Sequence, residues 1–170
     1  MFFLFLAIFS AFFAAFLWFS LAKGAPWLPT PKRHIRALLD AVSLKPNEVV
    51  IDAGCGDGRV LLLAAREYGA RGIGIEIHPL WVWIARLRVR LAGLGEKITI
   101  QRADIFRSDL TEADVLFLFL LQQTNVALQK KLAHELRPGT RIVSFAFTLP
   151  EFEELYVKKT NPTLHVYRVR

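Results

Sequence analysis

The sequence predicts an α/β fold: a doubly wound, mostly parallel sheet with helices on both faces. Two observations predict it. From Glu48 onward, short apolar runs rich in β-branched residues alternate with longer segments of helical spacing, which is the trace that βαβ units leave in a chain. The first of those runs, EVVID, passes directly into the glycine-rich turn AGCGDGR and then into RVLLLAAREY, a strand–loop–helix junction of the kind that cradles nucleotide-like ligands.

The elements follow in order. Pro31 suits the first turn of a helix with Thr30 as its cap, and HIRALLDAV shows helical spacing through Ile35, Leu38, Leu39 and Val42. EVVID is the first strand and Arg59–Tyr68 the helix after it. RGIGIEI is a second strand, and Pro79 opens a helix from Leu80 to about Ala92 whose apolar stripe is Leu80, Ile84, Leu87 and Leu91. KITIQ makes a third strand. ADVLFLFLL makes a fourth, apolar throughout and so covered on both faces. NVALQKKLAHEL is a helix stopped by Pro138-Gly139, and TRIVSFAF is a fifth strand. LYVKKT and LHVYRVR have no helix between them, only Asn161-Pro162, and therefore form an antiparallel hairpin at the sheet edge.

At 170 residues there is room for one such domain, once residues 1–22 are set aside. That stretch carries no charged side chain. As a helix it spans roughly 33 Å, enough for a bilayer core of about 30 Å. A secretory signal is the competing reading, but there is no basic n-region and the apolar run is longer than an h-region. The expected organisation is a transmembrane anchor at 1–22, a linker at 23–30 and the α/β domain at 31–170. Trp18 and Trp27 suit the membrane interface, and Lys23, Lys32, Arg33 and Arg36 put the domain on the cytoplasmic side. One cysteine excludes an internal disulfide and a multi-cysteine zinc site, and no metal is expected. The net charge of +7 lies wholly outside the anchor and points to an anionic lipid surface. No basic tract with interleaved aromatics marks a nucleic-acid site. The helix after Pro79 offers Trp81, Trp83, Arg86, Arg88 and Arg90, either a solvated basic face or one that rests on the anionic leaflet.

Charge decides what the glycine turn can hold. A phosphate loop ends in Lys followed by Ser or Thr, and here Arg59 and Val60 stand there. The dinucleotide fingerprint needs its third glycine at 59 and finds it at Gly58 instead. A pyrophosphate seeks bare N–H groups and a positive helix end, whereas this turn carries Asp52 and Asp57. S-adenosylmethionine brings an ammonium and a sulfonium and no phosphate, and an acidic, glycine-rich turn suits it. Glu76, at the tip of the second strand, stands where a carboxylate accepts ribose hydroxyls. Asp104, after the third, stands where one takes an adenine amino group.

With these residues the chain resembles the seven-strand class I methyltransferases, through VIDAGCGDGR, Glu76 in GIGIEI and Asp104 in RADIF. LPTP, FLFLL followed by Asn125, and KLAHELRPGTRIVS narrow the resemblance to small protein-lysine N-methyltransferases. That group includes broad-specificity archaeal enzymes and mitochondrial membrane-anchored enzymes acting on the ATP synthase c-subunit and the adenine nucleotide translocase. The resemblance implies a Rossmann-like methyltransferase fold and S-adenosyl-L-methionine as cofactor. The cofactor-facing set it suggests is Thr30, Asp52, Ala53, Gly54, Cys55, Gly56 and Gly58 from the first half. Glu76, Ile77, Asp104, Ile105 and Leu121 complete it. Gln122 and Asn125 are candidates to orient the acceptor, Asn125 being equally a helix cap. Phe145, Phe147 and Phe152 either wall an acceptor pocket or pack the core. The chain departs from the group where archaeal relatives carry His-Glu: after Ser144 it has Phe145-Ala146. It also lacks the Asn/Asp-Pro-Pro-Tyr motif of enzymes acting on amide or base nitrogens. The expected partner is a protein with an accessible lysine. Methylation of a lipid or small hydrophobic molecule, and a non-catalytic cofactor-binding assembly factor, stay open beside it.

Overall fold

A computed structural model describes residues 28–159 and 162–170, together with Met1, 4–7 and Ser10. Most of the expected anchor and linker, with Trp18 and Trp27, lies outside the described residues, as does Asn161 of the expected hairpin turn. Among the described residues no helix is long and apolar enough to cross a membrane.

The chain runs α1 (Lys32–Ala41), β1 (Val49–Ala53), α2 (Arg59–Tyr68), β2 (Arg71–Glu76), α3 (Pro79–Leu91) and β3 (Ile98–Arg102). A 3₁₀ turn (Ile105–Arg107) leads to β4 (Val115–Leu118), α4 (Gln122–Glu135), β5 (Arg141–Phe145), β6 (Glu154–Lys158) and β7 (Leu164–Arg168). The seven strands lie in the order β3-β2-β1-β4-β5-β7-β6. The first five are parallel, and β7 is antiparallel to both β5 and β6. The doubly wound sheet and its antiparallel C-terminal hairpin are as the sequence predicts.

Alternation along the strands divides the core in two. Val50, Val115, Phe117, Val143 and Phe145 face α1, α2 and α3. Ile51, Leu116, Leu118 and Ile142 face Leu128 and Leu132 of α4. The winding direction therefore reverses between β1 and β4, and in open α/β sheets ligands bind beyond the strand ends at that point.

Several boundaries differ from those expected. The fourth strand stops at Leu118, so Phe119, Leu120 and Leu121 leave the sheet. Helix α4 starts three residues before Asn125, which is fully buried and already in the first turn; Leu121 is the N-cap. Asn125 is therefore not a cap. Thr30 does not cap α1 either: Pro31 holds the cap position with no side-chain bond, and Thr30 is buried beside it. The fifth strand ends at Phe145 because Ala146 turns left-handed, at φ 75°, a conformation that breaks a ladder.

The expected core stripe of α3 is the wrong face. Val82, Ala85 and Val89 point inward, while Leu80, Leu87 and Leu91 are exposed. The reason is spacing: α3 packs closely on the glycine turn, where a Cβ on Gly58 would stand 3.4 Å from the Ala85 Cβ, so small residues take its inward face. Of the expected basic face, Arg86 donates to the Ile100 carbonyl at 2.9 and 3.1 Å, and Arg88 turns to Asp57. Those two guanidiniums serve packing, and only Arg90 stays fully outward among the three.

Candidate active site

A cleft of about 500 Å³ opens over the carboxyl ends of the parallel strands. Its floor is the β1–α2 loop. Gly54, Gly56 and Gly58 all have positive φ, and a Cβ on Gly54 would lie 2.9 Å from Leu120 Cδ2. This turn is open to glycine alone. The loop hangs on β2: Gly54 and Cys55 donate to the Ile75 carbonyl at 2.8 and 3.0 Å. Gly56 N–H donates to Glu76 Oε2 at 3.0 Å, and Glu76 Oε1 accepts from His78 N–H at 2.8 Å. Glu76 is thus fixed at the strand tip with each oxygen keeping a lone pair for a ligand.

Asp52, at the end of β1, is 3% exposed and lines the cleft. Burial, with the charges of Glu76 and Asp57 added, pushes its carboxyl well above the usual carboxylate range. A buried acid of this kind is poised for a cation. Asp57 behaves differently. Burial raises its carboxyl, yet the Arg59 hydrogen bonds and the Arg88 and Arg59 charges outweigh that and hold it low. Arg59 grips it bidentately at 2.8 and 2.9 Å, and Arg88 pairs with the same carboxylate. The charge of Asp57 is therefore spent on the protein, and the acidity of the turn rests on Asp52. At the tip of β3, Asp104 Oδ1 accepts from Phe106 N–H at 3.0 Å.

Of the expected cofactor-facing residues, Thr30, Asp52, Gly54, Cys55 and Gly56 line the cleft, as do Glu76, Ile77, Asp104, Ile105 and Leu121. Ala53 and Gly58 do not. Ala53 packs into the core under α4, and Gly58 serves as the left-handed N-cap of α2. The Cys55 thiol is buried and its pKa is driven up by burial and by Asp52, which leaves it unreactive. His78, Trp81, Phe106 and Pro162 also line the cleft. No local pattern marks Pro162, which arrives with the C-terminal hairpin.

Sheet order splits the cleft chemically. Its carboxylates stand at β1, β2 and β3, whereas β4 and β5 contribute Phe117, Phe119, Leu120, Leu121 and Phe147. Phe147 is a wall of the cleft. Phe145 lies beneath it, edge-on to Phe119 at 4.7 Å and beside His34 at 5.3 Å. Phe152 packs with the core on the α4 side. Gln122 and Asn125 do not line the cleft. The Gln122 amide clamps Thr148, accepting from its N–H at 3.0 Å and donating to its carbonyl at 3.2 Å. Asn125 donates to Ser144 Oγ at 3.2 Å, and Ser144 donates on to the Phe147 carbonyl at 2.6 Å. These residues shape the loop after β5 rather than meet a ligand directly.

The site fits S-adenosylmethionine: a backbone cradle that a single Cβ would fill, a buried acid for a cation and a fixed carboxylate at each of the next two strand tips. With a seven-stranded sheet of this order, that makes the chain an S-adenosylmethionine-dependent methyltransferase. It belongs to the family described as the ANTKMT methyltransferase domain, which matches residues 52–155. A protein-lysine N-methyltransferase of Saccharolobus islandicus is 32% identical over 87% of this chain and 96% of its own. The mouse (Mus musculus) adenine nucleotide translocase lysine N-methyltransferase is also 32% identical, over 78% of this chain but only 57% of its own length. The crystal structure of an RNA methyltransferase from Salinibacter ruber with S-adenosyl-L-homocysteine superposes with a TM-score of 0.81. It is 34% identical and covers 84% of this chain and 94% of that one.

Proposed function

We propose that this chain is a protein-lysine N-methyltransferase, held at a membrane by residues 1–22, that modifies lysines of membrane-associated proteins. The observation that carries the reading is the division of the cleft. An acidic half over β1–β3 holds the cofactor, and an aromatic half over β4–β5 receives the acceptor. In that arrangement Asp52 meets the cationic amino-acid end, Glu76 the ribose hydroxyls and Asp104 the adenine. Bound there, S-adenosylmethionine supplies an electrophilic methyl group and leaves as a neutral thioether.

The acceptor half does the rest. An ammonium loses stability among Phe119, Leu121 and Phe147, so a lysine entering that half has its pKa lowered and presents a free lone pair. Thr124 supplies a polar group at the same end. Alignment of amine and methyl then provides much of the acceleration. The two lysine-methyltransferase relatives support a lysine acceptor. The cytoplasmic side is assigned from the basic residues that follow the anchor segment.

The test is to incubate the full chain and labelled S-adenosylmethionine with membranes, extracted lipid and RNA in parallel. Label recovered as methyl-lysine by mass spectrometry is the expected result. Label in the lipid or RNA arm alone overturns the acceptor, and label in none makes the chain a cofactor-binding module without turnover.

A further inference from the structure

The outward face of α3 is unusual for a domain surrounded by water. Leu80, Trp83, Leu87 and Leu91 recur at helical spacing on one side, with Trp83 62% and Leu91 78% exposed, while the small residues Val82, Ala85 and Val89 face the core. Chains free in solution seldom place their largest apolar side chains in a row outside and their smallest inside. The helix carries three arginines and no acid. Its first turn lies at the mouth of the cleft, where Trp81 and His78 share the lining with Leu28 and Pro29. The lip is apolar as well: Leu28, Phe106 and Leu121 are exposed there.

We propose that this face of α3, Leu80, Trp83, Leu87 and Leu91 with Arg90 beside them, docks on the interface of an anionic bilayer. Docking so turns the mouth of the cleft toward the membrane surface. Three features favour a bilayer as occupant. Leu28, which lines this same mouth, stands six residues after an uncharged 22-residue segment. Tryptophan and leucine suit the headgroup–acyl boundary. Arg90, which stays outward beside that row while Arg86 and Arg88 are held by Ile100 and Asp57, matches an anionic headgroup with its stem laid along the apolar face. The inference rests on the reading that residues 1–22 hold the chain at a membrane.

The test uses the full chain with Leu87→Cys carrying an environment-sensitive fluorophore. The native Cys55 is buried and does not compete for the label. Glu112→Cys, exposed in the loop before β4, is the control. In vesicles of phosphatidylcholine with phosphatidylglycerol, the label at 87 is expected to shift to the blue and brighten roughly two-fold or more. It is also expected to be quenched by brominated lipid, while the label at 112 stays water-like. A chain that floats with the vesicles while the label at 87 stays water-like overturns the inference and leaves the anchor intact. A chain that does not float at all overturns both. A shift that arises in detergent micelles and grows with protein concentration assigns the face to a second copy of the chain, and overturns the bilayer.

Discussion

Arg88, on α3, donates to the Asp57 carbonyl at 2.9 Å and pairs with the Asp57 carboxylate, so the helix after β2 bolts down the glycine loop after β1. Arg59 holds the same carboxylate from the other side. The loop is thereby fixed in shape before any ligand arrives, which lowers the cost of ordering it on binding.

Removing that bolt is expected to loosen the cofactor site without unfolding the domain. Arg88→Leu should cost about 1 kcal/mol, since the pair is partly open to water, and lower the melting temperature by about 2–4 °C. Cofactor affinity should fall several-fold by calorimetry. In a double-mutant cycle, Asp57→Asn should add less in the Arg88→Leu background than alone. Independent, fully additive effects would show that the contact does not organise the loop.

Asp52 makes cofactor affinity pH-dependent. Its carboxyl stands well above the usual range in the folded domain, and a cationic ligand favours the ionised form. Binding should therefore release a proton and tighten as pH rises through the Asp52 transition. The stability of the domain without ligand runs the other way. A raised folded value contributes stability fully present below the unfolded value, about 3.9, and lost as pH climbs through the folded one. Asp52→Asn should flatten both profiles and weaken binding; calorimetry in buffers of differing ionisation enthalpy reads the proton directly.

Gly54→Ala meets two obstacles at once, a φ of 84° and Leu120 Cδ2 at 2.9 Å. The expected loss is about 1–3 kcal/mol of stability, with cofactor binding reduced by more than about tenfold. Shortening Leu120 to Ala in the same chain should not restore binding, because the backbone strain remains. Full rescue would mean that the contact alone forbids a side chain.

Ser144→Ala separates acceptor from cofactor. Ser144 passes a hydrogen bond from Asn125 to the Phe147 carbonyl and so holds the wall of the acceptor half. The substitution should raise the KM for the protein acceptor several-fold and cost about 1–2 kcal/mol of stability. The Kd for the cofactor should not move. A cofactor Kd that changes as much as KM would show that the loop serves both halves of the cleft.

Much of this site was legible because its pieces are local. The strand, turn and helix of residues 49–65 announce themselves by period and glycine spacing, and Glu76 and Asp104 by their places at strand ends. The acceptor side was not legible. Gln122 and Asn125 are polar residues beside the strand tips, as a substrate contact requires. Yet their partners are Thr148 and Ser144, twenty-six and nineteen residues away, and no local pattern records such distances. Phe145, Phe147 and Phe152 illustrate the same limit. Three similar residues end in three settings: under the cleft, in its wall and in the opposite core.

Local chemistry determined the order of strands and helices, the glycine turn that rejects phosphate and the uncharged segment before the domain. Period, backbone freedom and charge are properties of neighbouring residues, and the sequence carries them directly. Tertiary structure alone decided which face of α3 turns inward and that Arg88 joins the neighbouring Arg59 on Asp57. Both depend on how closely α3 approaches the glycine turn, where Gly58 lies against Ala85. At that spacing the small residues Val82, Ala85 and Val89 face inside. The leucines are left outside, and Arg88 falls within reach of Asp57.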